Sequence, residues 1–332
     1  SFVLMPAGKP RGAVVLLHGL TDSPYSVRHL AVNYQQHGFV AVVPRLPGHG
    51  TAPGALTDVD WEAWLAASRL AVREATRLTG NDLPLHLVGY SNGGALAMKY
   101  ALDALDAPEL RKPQQIVLLS PMIGVTAFAR FAGFAGLPAM LPAFAKAAWL
   151  NISPEYNPYK YNSFPVNAAR QSWLLTQALH EQINRDVHDH KLAQLPPVLA
   201  FQSVMDSTVS TRAVVSGLFD QLPANGSELV VFDINQAGSF RPLFRPSSWT
   251  AVADLLPGSK RRYSVTIVTN ASPDRFDMVA KTTPAGSSRE TVMPLSVAYP
   301  QEVYSLSHVA IPFPPDDDLY GRHPEVKNHY GI

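Results

Sequence analysis

The chain has 332 residues, enough to bury a large core as one big domain or two ordinary ones. A net charge of +1 gives no sign of a nucleic-acid partner, and the 16% of charged residues falls below the roughly 25% of an average soluble domain. There is no cysteine, which excludes disulfides, thiolate nucleophiles and cysteine metal sites and leaves the compartment open.

Ser1-Phe2-Val3-Leu4-Met5-Pro6 reads as the interior of a strand, implying that the natural chain starts further upstream, where any signal peptide or lipid anchor would lie. Ala13 to Gly19 is a continuous apolar run, as expected of a parallel strand covered on both faces. A helix over Ser26 to His37 and a strand over Gly38 to Pro44 follow, and then a loop from Arg45 to Thr51. From Asp60 to Thr79, apolar Trp61, Trp64, Leu65, Leu70, Ala71, Ala75 and Leu78 recur at near-helical spacing, with Asp60 placed to cap the start. The apolar run from Leu85 enters Gly89-Tyr90-Ser91-Asn92-Gly93, and an alanine- and leucine-rich segment from Ala95 to Leu105 leaves it. Gln115 to Pro121 is the next buried strand. This alternation predicts an α/β fold, a mostly parallel sheet with helices on both faces and sites at the C-terminal ends of its strands.

After Pro121 the rhythm breaks. Residues 122–196 carry alanine-rich, helix-like sequence with prolines at 138, 142, 154, 158 and 165 and no clear strand. They are read as a helical cap inserted between the two halves of the core, 1–121 and 197–332. The uncharged window from Phe131 to Ala145 is shorter than the roughly 20 residues that span a bilayer and contains prolines, so no transmembrane segment is predicted. Strands resume at Pro197 to Ser203 and Glu228 to Ile234, and Arg262 to Thr269 alternates like an exposed strand. An irregular excursion covers about 235–300 around that strand, and Glu302 to Leu306 is expected to be the last strand.

The pattern G-x-S-x-G between a strand and a helix is that of a nucleophile elbow, in which a sharp turn lifts the serine hydroxyl above the sheet. Ser91 is that serine, and side chains at Gly89 and Gly93 would collide as the strand folds back into the helix. A serine hydroxyl needs an adjacent base, and the base needs a group to fix its tautomer. In this arrangement the partners follow in the order serine, acid, histidine. Asp206 sits at a strand end, with Asp233 as its rival, and His308 follows a late strand. Backbone N–H groups of Leu20 and Asn92 are the candidates for the oxyanion hole.

The other histidines have plainer readings. His18 and His49 order tight glycine loops, His86 lies inside the elbow strand, His29 and His37 belong to the first helix, and His323 and His329 fall in a polar tail. His180, His188 and His190 cluster with Glu181, Asp186 and Asp189, but the spacing is not that of a zinc helix and the residues read as solvated. Asp316-Asp317-Asp318 reads as a solvated turn rather than a cation site.

The segments His18-Gly19-Leu20, Pro47-Gly48-His49-Gly50, Gly89-Tyr90-Ser91-Asn92-Gly93, Gln202-Ser203-Val204-Met205-Asp206 and Ser307-His308 together resemble an α/β-hydrolase. The branch is the monoglyceride-lipase and carboxylesterase-like one, labelled serine aminopeptidase S33. The resemblance covers most of residues 12–210 and the segment near 300–312. It implies ester hydrolysis through an acyl-enzyme, with no cofactor or metal and a variable cap setting substrate choice. One departure stands out, because such enzymes separate acid and histidine by only a few tens of residues; extra strands or a long excursion are expected before His308.

The expected function is a carboxylesterase acting on a small-molecule or polymeric ester. A lipase or polyester hydrolase is the alternative, suggested by the low charge and by an apolar cap able to meet lipid or polymer. Nothing resembles a pocket for an N-terminal amine. A catalytically inactive binding protein on the same fold is the reading from another class.

Overall fold

The computed structural model describes residues 1–124, 148–237, 250–256, 260–308 and 311–321. Its strands, in chain order, are β1 (Phe2–Leu4), β2 (Gly12–Leu17), β3 (Phe39–Val43), β4 (Leu85–Tyr90), β5 (Gln115–Leu119), β6 (Trp149–Asn151), β7 (Phe164–Pro165), β8 (Val198–Ser203), β9 (Glu228–Phe232), β10 (Ser264–Asn270), β11 (Asp277–Thr283) and β12 (Thr291–Ala298). Ten of them form one sheet in the order β1-β3-β2-β4-β5-β8-β9-β10-β11-β12. From β3 to β10 every pairing is parallel, and only β1 at one edge and β11 and β12 at the other run antiparallel.

The helices are α1 (Arg28–Gln36), α2 (Trp61–Thr79), α3 (Asn92–Asp106), α4 (Val166–His188), α5 (Thr211–Gly217) and α6 (Ala251–Leu255). The period-two alternation of the central strands feeds two cores. Val14, Leu16, Ala41, Val43, Val88 and Tyr90 face Val27 and α1. Ala13, Val15, Leu17, Val40, Val42, Leu85 and Leu87 face the other way, toward Trp64 and Leu65 of α2 and Leu96 and Met98 of α3. Burying a side chain of this kind contributes about 1.5–3 kcal/mol, so the sheet centre is the stable platform on which the strand ends sit.

Several local expectations are corrected. Leu70, counted on the apolar stripe of α2, is 58% exposed. Asp60 occupies the N-cap position of α2 without a capping bond from its side chain; the Trp61 N–H instead donates to Gln171 Oε1 of α4 at 3.2 Å. The segment between β5 and β8 contains a small two-stranded sheet of β6 and β7, where no strand was expected. Its long helix α4 sends Ala168, Leu175, Leu179 and Ile183 into the same hydrophobic cluster as the sheet. Asp186 is buried rather than solvated, and burial raises its carboxyl above the ordinary value. The Phe131 to Ala145 window, His323 and His329 lie outside the described residues. Among the described residues no helix is long and apolar enough to cross a membrane, and no group of three or more His, Asp and Glu could hold a metal ion.

The region expected to be irregular holds the largest difference. β10 is an interior strand, hydrogen-bonded to β9 on one side and β11 on the other, with Val265, Thr266, Val268, Thr269 and Asn270 buried. β11 and β12 then extend the sheet as a hairpin around Gly286, whose φ is 72°. Glu302 to Leu306, expected to be a strand, is instead a series of turns and bends. The hairpin supplies part of the long interval before His308. The returning chain is held over the end of β9: Asn235 donates from its amide to Pro300 O and Val303 O at 3.1 and 2.9 Å and from its backbone to Tyr304 O at 2.6 Å. Tyr299 donates its hydroxyl to Asp233 O at 2.9 Å.

Candidate active site

Ser91 stands between the last residue of β4 and the first of α3 with φ 53° and ψ −114°, a conformation that a non-glycine residue adopts only when its surroundings enforce it. The enforcement is visible. Its N–H donates to Leu119 O at 2.9 Å, and its carbonyl accepts from the N–H groups of Gly94 and Met122 at 2.9 and 3.0 Å. A Cβ on Gly89 would stand 2.3 Å from Gly93 O, so the elbow closes only over glycine there. At Gly93 the obstacle comes from elsewhere, because a Cβ would stand 2.1 Å from Leu17 O of the neighbouring strand β2.

Asp206 follows β8 in a tight turn, and its side chain is fully buried. Oδ1 accepts from the Thr208 and Val209 N–H groups at 2.8 and 3.0 Å, and Oδ2 lies 2.9 Å from His308 Nδ1. Burial pushes this carboxyl up, but the hydrogen bond and charge of His308 and the two backbone donors outweigh it, so it stays below the ordinary carboxylate value. Asp206 is therefore an anion at neutral pH, a pure acceptor that requires a proton on His308 Nδ1. That leaves His308 Nε2 as the basic nitrogen. Among the described residues neither Ser91 Oγ nor His308 Nε2 has a hydrogen-bond partner within the chain.

The rival acid is engaged elsewhere. Asp233 accepts from Ile234 N, Gln236 Nε2 and Thr269 Oγ1 at 2.8, 3.0 and 2.9 Å, a local network at the end of β9.

His18 and His49 order the loops as expected. The Leu46 N–H donates to His18 Nε2 at 3.1 Å, so Nδ1 carries the proton and donates to Gly19 O at 2.9 Å. Burial, and then the neighbouring His49, hold His18 well below the ordinary histidine value, which keeps it neutral. His49 sits between two carbonyls, with Nε2 2.7 Å from Leu20 O and Nδ1 2.9 Å from Pro47 O. Burial lowers His49 from the ordinary histidine value, so the ring is neutral with one N–H, and the shorter contact assigns that proton to Nε2, which fixes the Leu20 peptide from its carbonyl side. Asn92 is fully buried at the start of α3, where backbone N–H groups are left without helical partners. Leu20 follows the end of β2, and Asn92 opens α3 directly after Ser91.

Two contacts were not foreseen. Tyr90, buried beside Ser91, donates its hydroxyl to His308 O at 3.3 Å, and its ring centre lies 5.3 Å from that of His308. Burial drives this phenol well above its ordinary value, so the proton it donates stays in place. Asp317, read as part of a solvated turn, is 2% exposed. It accepts from Arg28, His29 and the N–H groups of Leu319 and Tyr320 at 2.5, 2.7, 2.9 and 2.8 Å. The sequence signal for such a residue is weak, since a buried carboxylate and a surface one look alike in a run of three aspartates.

A family model described as serine aminopeptidase, S33 matches residues 8–233. The chain belongs to that family. The match spans Ser91 and Asp206 and ends at the close of β9, before β10, the hairpin and His308. Locally, the chain is 34% identical over 89 residues to a thermostable monoacylglycerol lipase of Bacillus sp. (strain H-257), covering 26% of this chain and 34% of that protein. It is also 26% identical over 129 residues to phospholipase YtpA of Bacillus subtilis (strain 168), covering 36% of this chain and 44% of that one. This chain therefore spans between about a third and under half of the relatives it matches. Among solved structures, the family's α/β-hydrolase fold recurs in a monoacylglycerol lipase of Paleococcus ferrophilus at TM-score 0.52 and 19% identity, covering 70% of this chain and 87% of that one.

Proposed function

We propose that the protein is a carboxylic-ester hydrolase working through an acyl-enzyme. Ser91 Oγ attacks the acyl carbon while its proton passes to His308 Nε2. The carboxylate of Asp206 holds the ring in the correct tautomer and stabilises the imidazolium. The oxyanion of the tetrahedral intermediate is received by the N–H groups of Leu20 and Asn92, with the positive end of α3 behind Ser91. His308 then protonates the leaving alkoxide, and water enters by the same route to release the acid. The residues ask for no cofactor or metal.

The observation that carries this reading is the 2.9 Å bond between His308 and Asp206 across 102 residues of chain, with the His308 ring 5.3 Å from that of Tyr90, the residue before the strained serine. Turnover of p-nitrophenyl esters tests it, with Ser91→Ala expected to lose at least about 10⁴-fold in kcat while remaining folded. A fluorophosphonate probe should label wild type and not the variant. Full activity or undiminished labelling in Ser91→Ala overturns the proposal. The local identity to a monoacylglycerol lipase favours one finer reading, a lipase acting on longer acyl chains. Rates across a series of ester chain lengths decide between the two: a sharp fall beyond short chains leaves the carboxylesterase.

A further inference from the structure

Gln202 is a polar residue in the otherwise apolar strand β8, four positions before Asp206, and it is fully buried. Its amide nitrogen lies 3.1 Å from Asp206 Oδ2, 3.1 Å from Thr211 Oγ1 and 3.4 Å from Ser203 O. Thr211 has already committed its own proton to Ser203 O at 3.0 Å, so it faces Gln202 as an acceptor. All three neighbours accept, which fixes the nitrogen at this end of the amide and excludes the flipped orientation. Oε1, at the other end, is buried with no partner among the described residues. A leucine or methionine would fill the same volume without stranding a carbonyl.

The gain lies at Asp206. Its Oδ1 is occupied by two backbone N–H groups and its Oδ2 by His308 and Gln202, so each of the carboxylate's four acceptor positions is filled. Without Gln202 the oxygen that meets the imidazole would be held by the imidazole alone.

We propose that Gln202 is a positioning residue, whose amide N–H locks the plane of the Asp206 carboxylate against His308 Nδ1. The proposal rests on the reading of these two residues as the acid and base of ester hydrolysis. The Gln202 amide donor also tempers the negative charge that the imidazole feels. The neighbouring titratable groups are Tyr90, with Asp22 and Tyr320 beside it, and all three stay intact in the variants that test the idea.

Those variants are Gln202→Leu and Gln202→Met, which both remove the donor while filling similar volume with different shapes. In Gln202→Leu, kcat on a p-nitrophenyl ester is expected to fall between about ten- and a hundredfold, the range for losing a hydrogen bond to a charged group. KM should hold, because a fully buried residue beneath the acid does not reach the substrate. The acid limb of kcat/KM should move to higher pH by a similar amount in Gln202→Leu and Gln202→Met, because both leave the Asp206 charge untempered, a shared shift that a packing role would not produce. The low-field proton NMR signal of the Nδ1–H, identified by its loss in His308→Gln, reads the same contact without any ester. It should be sharp in wild type and broadened in Gln202→Leu.

Wild-type kcat and an unmoved acid limb in Gln202→Leu overturn the proposal, as does a rate loss that only follows a loss of urea stability. If Gln202→Leu fails to fold, the limb of Gln202→Met decides. If wild type hydrolyses no ester yet the NMR signal responds as stated, the hydrolase reading falls and the positioning role stands.

Discussion

Gly93→Ala adds one methyl group at the point where α3 begins. The residue has no left-handed φ, so the penalty is one of space alone. The new carbon would stand 2.1 Å from Leu17 O, 2.5 Å from Leu17 C and 2.8 Å from His18 O, all backbone atoms that no rotamer change can remove. Carbon pairs rest about 3.5–4.0 Å apart, so α3 and the end of β2 must separate by roughly an ångström. Overpacking typically costs about 1–3 kcal/mol, and with three backbone atoms in the way the upper end applies. That is a large share of the roughly 5–15 kcal/mol by which native proteins are stable. The displaced strand end carries His18, Gly19 and Leu20, one side of the proposed oxyanion site. A misplacement of about an ångström there is expected to lower kcat by about a hundredfold. Urea unfolding and ester turnover of Gly93→Ala measure both effects. Gly54→Ala, where nothing lies within 4 Å of the added carbon, serves as the control. A wild-type unfolding midpoint and kcat for Gly93→Ala refute the reasoning, and so does an equal loss in the control.

Acid sensitivity should begin at the histidines. His18, His49, His86 and His180 are each lowered from 6.5, chiefly by burial, so the folded state holds them neutral where the unfolded chain takes up protons. Their contribution is complete above about pH 7 and is lost as the pH falls from about 6.5 toward the depressed folded values. A urea midpoint that stays flat from pH 7.5 to 5 contradicts this. Asp317→Ala should free residues 311–321 from α1, costing about 2 kcal/mol through lost hydrogen bonds to a charged group. Burial raises the Asp317 carboxyl, but the Tyr320 and Leu319 N–H groups, His29 and Arg28 more than offset it. This clasp therefore holds above the ordinary carboxylate value and loosens as the pH falls through the lower folded one. Hydrogen exchange of that loop is the readout, and unchanged protection rules the clasp out.

The elbow was legible because it is local: strand, turn, serine and helix are consecutive, and Gly89 and Gly93 mark the space the turn lacks. The parallel core was legible for a related reason, since β2, β4 and β5 are apolar runs whose burial needs no partner to be named. The hairpin of β11 and β12 was hidden by its own exposure. β12 is an edge strand, exposed along nearly all its length, and Pro294 within it reads as a breaker although an edge tolerates it. β10 reads as an exposed strand because the strand that covers it, β11, is not marked by any apolar run.

By itself, then, the sequence determined the nature of the fold and the glycine-flanked turn that holds Ser91, features that depend on neighbours along the chain. The tertiary structure decided which carboxylate meets His308, that Gln202 and Tyr90 hold the pair from below and beside, and that Asp317 is a buried clasp rather than a wet turn. These outcomes depend on which distant groups are desolvated together. Hydrogen bonding and burial act through space, and one chain of letters does not say who faces whom.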